Sequence, residues 1–241
     1  MGRSFDNRKV AMAKTAGMKI KLYTKFGREL YVAAKSGSTD PDSNPTLRRV
    51  LERAKKAQVP SHIIDNAMKK AKGAGGEDFT AARYEGYGPG GTMLIIDCLT
   101  DNNNRTISDL RNFFSKCDCK IGGTGSVAHM FDHVALFAFK FDDENAVLEA
   151  MMEADVDVKD IQNENGIITV IAPPNDYSKA KAALVEKFPK VELEIDEVTF
   201  EPQTTSAISG DDAARFEKLL ALINESDDVQ EVYHNAELPS E

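Results

Sequence analysis

Two runs of cations stand at helical spacing near the start of the chain. Lys21, Lys25 and Arg28 fall at i, i+4 and i+7, and Arg49, Arg53 and Lys56 repeat the interval. In an α-helix that interval returns to one face, and seven steps at about 1.5 Å extend about 10 Å. A positive ridge of that length can meet more than one phosphate of a nucleic acid. Arg48, Arg49 and Arg53 add guanidinium groups, which bind oxyanions in bidentate fashion. Ahead of both ridges, Arg3, Arg8, Lys9 and Lys14 form a basic arm suited to ordering on a polyanion. The candidate nucleic-acid contacts are therefore this arm and the two ridges. A solvated face of an amphipathic bundle is the competing account of the same pattern.

The distribution of charge favours the polyanion. The net charge is −9, yet residues 1–76 hold 17 Lys and Arg against 6 Asp and Glu, a surplus of +11. The rest of the chain then holds 13 against 33, or −20. Such asymmetry describes a basic module carried on an acidic body. With 41% hydrophobic and 29% charged residues, the chain reads as globular, neither disordered nor membrane-embedded. No apolar run approaches the roughly 20 residues of a membrane helix. The first residues lack the apolar stretch of a secretory signal. Three cysteines, Cys98, Cys117 and Cys119, make no disulfide framework. The expected location is cytoplasmic.

Other chemistry finds little support. Gly86-Tyr87-Gly88-Pro89-Gly90-Gly91 is glycine-rich, but it lacks the Gly-Lys-Ser/Thr of a P-loop and precedes a strand rather than a helix. It reads as a turn. Cys117-x-Cys119 has no second pair at zinc spacing, and His62, His129, His133 and His234 show no ligand spacing. Asp142-Asp143 and Asp227-Asp228 sit at turns and read as solvated caps. No nucleophile, base and orienting acid can be assembled. The expectation is a non-enzyme, with no cofactor, no metal and no small-molecule substrate.

The elements that position the cations read as follows. Ile20, Tyr23, Gly27, Leu30, Tyr31 and Ala34 form the apolar stripe of a first helix. Asn44-Pro45 starts a second, with Leu47, Val50, Leu51 and Ala54 inward. Val59-Pro60-Ser61 breaks to a third, with Ile64, Ala67 and Ala71 inward and Lys69, Lys70 and Lys72 in its last turn. Gly73 to Gly76 then serves as a linker. Met93 to Ile96 is a buried strand, followed by a helix with Ile107, Leu110, Phe114 and Cys117 on one face, closed by the glycines at 122–125. Ser126 to Phe131 reads as a second strand. From Val134 the pattern becomes strand, helix, strand, strand, helix, strand. Glu144 to Ala154 places Val147, Leu148, Met151 and Met152 inward, and Val156–Gln162 pairs with Ile167–Ala172 as a hairpin. That order is the split βαβ of ferredoxin-like domains. A last helix and a strand over Val229–Tyr233 cannot bury a core alone, so they return to the earlier sheet. The fold class is α+β: an N-terminal helical bundle and two α/β sandwich-type domains, the third (ferredoxin-like βαββαβ) inserted into the second. The expected domains are 1–76, 77–132 plus 204–241, and 133–203.

Four blocks carry a family resemblance: YEGYGPGGTMLI at 84–95, LTDNNNRTISDLRNFFSK at 99–116, GGTGSVAHMFD at 122–132 and DDVQEVYHNAEL at 227–238. Their residues and order resemble the YebC/PmpR family, which includes the mitochondrial translational activator of cytochrome oxidase. The opening Gly2-Arg3-Ser4-Phe5-Asp6-Asn7-Arg8-Lys9 departs from the Gly-His-Ser-Lys-Trp-Ala-Asn-Ile-like start common there, as in a sister branch. The resemblance implies three domains, the third inserted into the second, and a non-enzymatic role in gene expression. It implies DNA as partner for a transcriptional regulator, or structured RNA for a factor acting at the ribosome. The leading expectation is a DNA-binding transcriptional regulator, and the alternative is a ribosome-associated, rRNA-binding translation factor. A protein-interaction scaffold stands third.

Overall fold

A computed structural model describes residues 19–73 and 78–238. The expected arm residues Arg3, Arg8, Lys9 and Lys14, and the linker residues 74–76, lie outside the described residues, as does the side chain of Ile20.

The basic segment forms three helices, α1 (Lys19–Lys35), α2 (Pro45–Lys56) and α3 (Ser61–Lys72). Asn44 starts α2 as its sequence dictates: its Oδ1 accepts the Leu47 N–H at 3.0 Å, with Pro45 in the first turn. The same side chain donates to the carbonyls of Ala33 (2.8 Å) and Ser38 (2.7 Å), fastening the end of α1 to the start of α2. Leu30, Leu47 and Ala54 are wholly buried, with Phe26, Tyr31, Val50, Val59 and Ala67 around them. Phe26 falls outside the stripe read from the sequence; its ring lies beneath the Arg53 guanidinium, 5.7 Å from centroid to Cζ.

The next sheet has the order β3-β1-β2-β9, all neighbours antiparallel. Its strands are β1 (Thr80–Tyr87), β2 (Met93–Thr100), β3 (Lys120–Ile121) and β9 (Val229–His234). Leu94, Ile95 and Ile96 of β2 are fully buried. The helix α4 (Asn103–Ser115) contributes Leu110 and Phe114 to one core with Leu94, Ile96 and Cys98. Phe216, Leu219 and Ile223 of the last helix, Gly210–Glu225, complete that core. The C-terminal segment therefore returns to the early sheet. Within α4, Thr106 is buried and Ile107 only half-buried, a shift of the inward face by one position.

Residues 129–204 form a compact unit of their own. Its strands β4 (Phe131–Lys140), β5 (Asp160–Glu164), β6 (Ile167–Ala172) and β7 (Leu193–Pro202) pair antiparallel in the order β5-β6-β4-β7. With α5 (Glu144–Glu153) and α6 (Tyr177–Lys187) this is the ferredoxin-like βαββαβ. Asn165 and Gly166, at φ 53° and 78°, make the tight β5–β6 hairpin that an Asn-Gly pair favours. After β7 come β8 (Ser206–Ala207), the helix now called α7 (Gly210–Glu225), β9, and β10 (Ala236–Glu237), which pairs parallel with β8.

Three local expectations fail. Ser126–Phe131 is a curled turn with a 3₁₀ segment at Ala128–Met130, and β4 begins at Phe131. The cause is Glu85, which draws the N–H groups of Gly125, Val127 and Ala128 to one carboxylate and prevents extension. Leu148 and Met152 are 40% and 68% exposed rather than inward; Val147, Ala150 and Met151 fill the core instead. Val156–Gln162 is not one strand: Val156 is buried in a loop and β5 starts at Asp160.

Candidate nucleic-acid interface

Lys21, Lys25 and Arg28 do share one face of α1, and that face meets the C-terminal segment. Lys21 Nζ donates to the Glu225 carbonyl (3.2 Å) and Lys25 Nζ to the Gln230 carbonyl (3.4 Å). Arg28 Nη1 donates to the carbonyls of Asp227 (2.8 Å) and Leu99 (3.3 Å) and to Asp228 Oδ1 (2.7 Å). Burial pulls the Lys25 ammonium below its ordinary value, although Glu231 opposes the shift. These cations are occupied within the chain.

The second ridge divides. Arg53 pairs with Glu29 of α1 at 2.6 Å and approaches Glu231 at 3.8 Å. Arg49 and Lys56 are exposed on α2. Arg48 folds back onto the carbonyls of Pro41 (3.2 Å) and Asp42 (2.8 Å). Exposed cations also include Lys55 of α2 and Lys69, Lys70 and Lys72 in the last turn of α3, where positive charge complements the helix dipole. The structure thus brings Arg49, Lys55 and Lys56, and separately Lys69, Lys70 and Lys72, to the surface of the helical domain. The sequence placed the α3 lysines in the last turn of that helix without counting them among the contacts.

What organises the first ridge is Asp228, read from the sequence as a solvated turn residue. It is buried, at 4% exposure. Its carboxylate accepts Arg28 Nη1, Arg105 Nη2 (2.9 and 3.1 Å), Thr106 Oγ1 (2.8 Å) and Thr100 Oγ1 (3.1 Å). A register shift between Asp97 and Cys98 in the β2–β9 ladder accompanies this placement, and the Leu99 N–H donates to the Asp228 carbonyl at 2.7 Å. Burial pushes the Asp228 carboxyl up, but hydrogen bonds from Arg105, Arg28 and Thr106 outweigh it and hold the group below its ordinary value. Arg28 and Asp228 lie 200 positions apart, so no local sequence signal could pair them.

A second buried carboxylate shapes the loop after β3. Glu85, 3% exposed, accepts the N–H groups of Gly125 (2.6 Å), Val127 (2.7 Å) and Ala128 (2.8 Å). Burial raises its carboxyl, yet these bonds lower it further and leave it below the ordinary value. The loop N–H groups thus already hold an anion, and it belongs to the protein. The Gly88–Gly91 turn is likewise structural, with Gly90 and Gly91 at φ 64° and 75° and the Gly88 N–H bonded to the Thr92 carbonyl at 2.8 Å.

The thiols are poorly suited to nucleophilic chemistry. Burial pushes Cys98 up to about 12 and Cys119 up to about 11, and burial also raises Cys117. His133 stacks on Phe200 at 4.6 Å and His234 meets the edge of Phe216 at 5.0 Å. Among the described residues, no group of three or more His, Cys, Asp or Glu could hold a metal ion. Among them, too, no helix is long and apolar enough to cross a membrane.

Comparison with known proteins places this architecture. Residues 3–74 match the TACO1/YebC protein N-terminal domain, and residues 63–236 match the TACO1/YebC second and third domain. A probable transcriptional regulatory protein of Pseudoalteromonas atlantica is 59% identical over 236 residues, covering 98% of this chain and 97% of the relative. One of Alcanivorax borkumensis is 58% identical over 238 residues, covering 99% and 100%. The crystal structure of a conserved hypothetical protein from Aquifex aeolicus is similar at a TM-score of 0.75 and 34% identity, covering 92% of this chain and 91% of that one. Matched along nearly its whole length and in each of its parts, the chain belongs to the TACO1/YebC family.

Proposed function

We propose that this protein is a regulator of transcription that grips the phosphate backbone of DNA through its helical domain, and that it is not an enzyme. The observation that carries the reading is the surplus of +11 over residues 1–76, part of it displayed as exposed Arg49, Lys55, Lys56, Lys69, Lys70 and Lys72 on α2 and α3. The name of the relatives, probable transcriptional regulatory protein, supports the regulatory part. Cations so placed neutralise phosphates without reading bases, because lysines on helix surfaces position a protein on a duplex and base edges specify the sequence. The acidic remainder, at −20, repels the same polyanion and orients the approach of the helical domain.

Equilibrium binding of the full chain to a fluorescent DNA duplex across salt concentrations tests this. Each phosphate neutralised contributes about −0.9 to the slope of log affinity against log salt. The expected slope is about −3 or steeper, given the exposed cations of α2 and α3. A slope near zero, or affinity for a structured RNA hairpin without affinity for duplex DNA, overturns the assignment to DNA.

A further inference from the structure

The helical domain and the β1–β2–β9 sheet keep separate apolar cores: one gathers Leu30, Leu47 and Ala54, the other Leu94, Phe114 and Phe216. Polar contacts bridge them, together with the Phe79 ring just ahead of β1, which packs edge-on against Tyr31 (5.9 Å) and beneath the Arg28 guanidinium (5.1 Å). Three consecutive cations of one α1 face, Lys21, Lys25 and Arg28, each donate to oxygen atoms of the segment 225–231. Arg53 of α2 adds the contact to Glu231. That segment reads Glu-Ser-Asp-Asp-Val-Gln-Glu, with four carboxylates in seven residues. Glu225 and Asp227 are exposed, whereas Lys21, Lys25 and Arg28 are half-buried against the segment. Two backbone carbonyls and the buried Asp228 carboxylate, at 2.7–3.4 Å from the three cations, are oxygen acceptors of the kind that phosphates would supply.

We propose that the cation face of α1 is a polyanion-contact surface kept occupied by the acidic segment 225–231, and that a nucleic acid competes with this segment for Lys21, Lys25 and Arg28. The inference rests on the reading of the helical domain as the nucleic-acid-binding part. The initial contact falls to the exposed lysines of α2 and α3, and the phosphates that follow displace the segment from α1. The helical domain then parts from the central sheet. The Lys21, Lys25 and Arg53 contacts are half-exposed, weak and screened by salt, and Phe79, which packs on Tyr31 beside the linker, moves with the helical domain as it opens. Arg28 with Asp228 is the last bond to yield, being the most buried of the set.

The test measures the seam directly. Nitroxide labels at Asn66→Cys on α3 and Lys218→Cys on α7, both exposed positions, are introduced with Cys119→Ser, and the distance between them is read by pulsed dipolar spectroscopy. At low salt the full chain gives one narrow distribution; a bound DNA duplex shifts it to longer, broader distances. Duplex bound with the distribution unchanged overturns the competition while leaving the DNA reading intact. Failure of the duplex to bind at all overturns both. A second variant, Asp227→Asn with Glu231→Gln, weakens the competitor. It binds duplex about three- to tenfold tighter than Glu149→Gln with Glu192→Gln, which removes equal charge from the ferredoxin-like unit; that factor is what one half-exposed ion pair, Arg53–Glu231 at 3.8 Å, and the nearby charge of Asp227 on Lys25 are worth. Equal affinity of the two variants overturns the proposal.

Discussion

Replacing Asp228 with alanine is the sharpest probe of how this chain holds its parts together. The substitution removes the acceptor for Arg28, Arg105, Thr100 and Thr106 at once. Breaking a buried ion pair by deleting one partner costs about 3–5 kcal/mol. Three features place the loss at the lower end. The Arg105 side chain is 46% exposed and keeps Asp101 at 2.7 Å, and Arg28 keeps the carbonyl of Asp227 at 2.8 Å. The two threonine hydroxyls lie 2.8 Å apart, so the proton that Thr106 gives to Asp228 can turn to Thr100 Oγ1. We expect about 3 kcal/mol for Asp228→Ala and about 2 kcal/mol for Asp228→Asn, which retains one carbonyl acceptor. Urea unfolding followed by circular dichroism gives the total. Hydrogen exchange at β2 and β9 separates it from the 129–204 unit. The sign with pH follows from a folded carboxyl held below its ordinary value. Its contribution is whole above the unfolded carboxylate pKa of about 4 and is lost as pH falls through the lower folded value. The gap between wild type and Asp228→Asn therefore closes in acid. A loss below about 0.5 kcal/mol at neutral pH, typical of an ordinary surface change, refutes the network as a fastening.

Other substitutions probe single joints. Gly86→Ala drives a methyl into the Phe114 ring and to 3.1 Å from the Lys120 carbonyl, so overpacking should cost about 2–3 kcal/mol in chemical denaturation. Asn44→Ala removes a helix cap and takes the amide donor from the carbonyls of Ala33 and Ser38, of which Ala33 keeps the Ser36 hydroxyl; a loss of about 2 kcal/mol is expected, read from exchange in α1 and α2. Glu85→Gln exchanges a charged acceptor of three N–H groups for an amide, costing about 2–3 kcal/mol and speeding exchange at Gly125, Val127 and Ala128.

Periodicity carried most of the fold. The stripe through Leu30, the Asn44-Pro45 start and the run Met93–Ile96 each depend on neighbours within a few residues; the start and the run are present as read, and the buried part of the stripe, Leu30, Tyr31 and Ala34, is joined by Phe26. Polar organisation was less legible, because it is set by partners distant in sequence. Glu85 looks like an ordinary strand residue until the loop of Gly125 closes over it, and that closure turned an apparent strand at Ser126–Phe131 into a curl. Asp228 resembles any turn aspartate until Arg28 and Arg105 reach it. The cations of α1 have the spacing of a phosphate ridge, but spacing cannot reveal that an acidic segment nearly 200 residues away already occupies them. Leu148 and Met152 show the limit of apolar counting: hydrophobic residues at helical intervals outnumbered the positions facing the sheet.

The claim that the helical domain contacts DNA is tested most directly by removing Lys69, Lys70 and Lys72 together, each to alanine, and measuring the salt dependence of duplex binding. These residues are exposed in the last turn of α3, and alanine favours helix, so the domain should remain folded by circular dichroism. The control changes Lys140, Lys159 and Lys190, exposed cations of the 129–204 unit, for the same loss of charge. The account predicts that the first variant flattens the log–log slope by about 2–3, one phosphate contact per lysine at about 0.9 each, while the control leaves it in place. A folded α3 variant whose slope matches that of the control contradicts it.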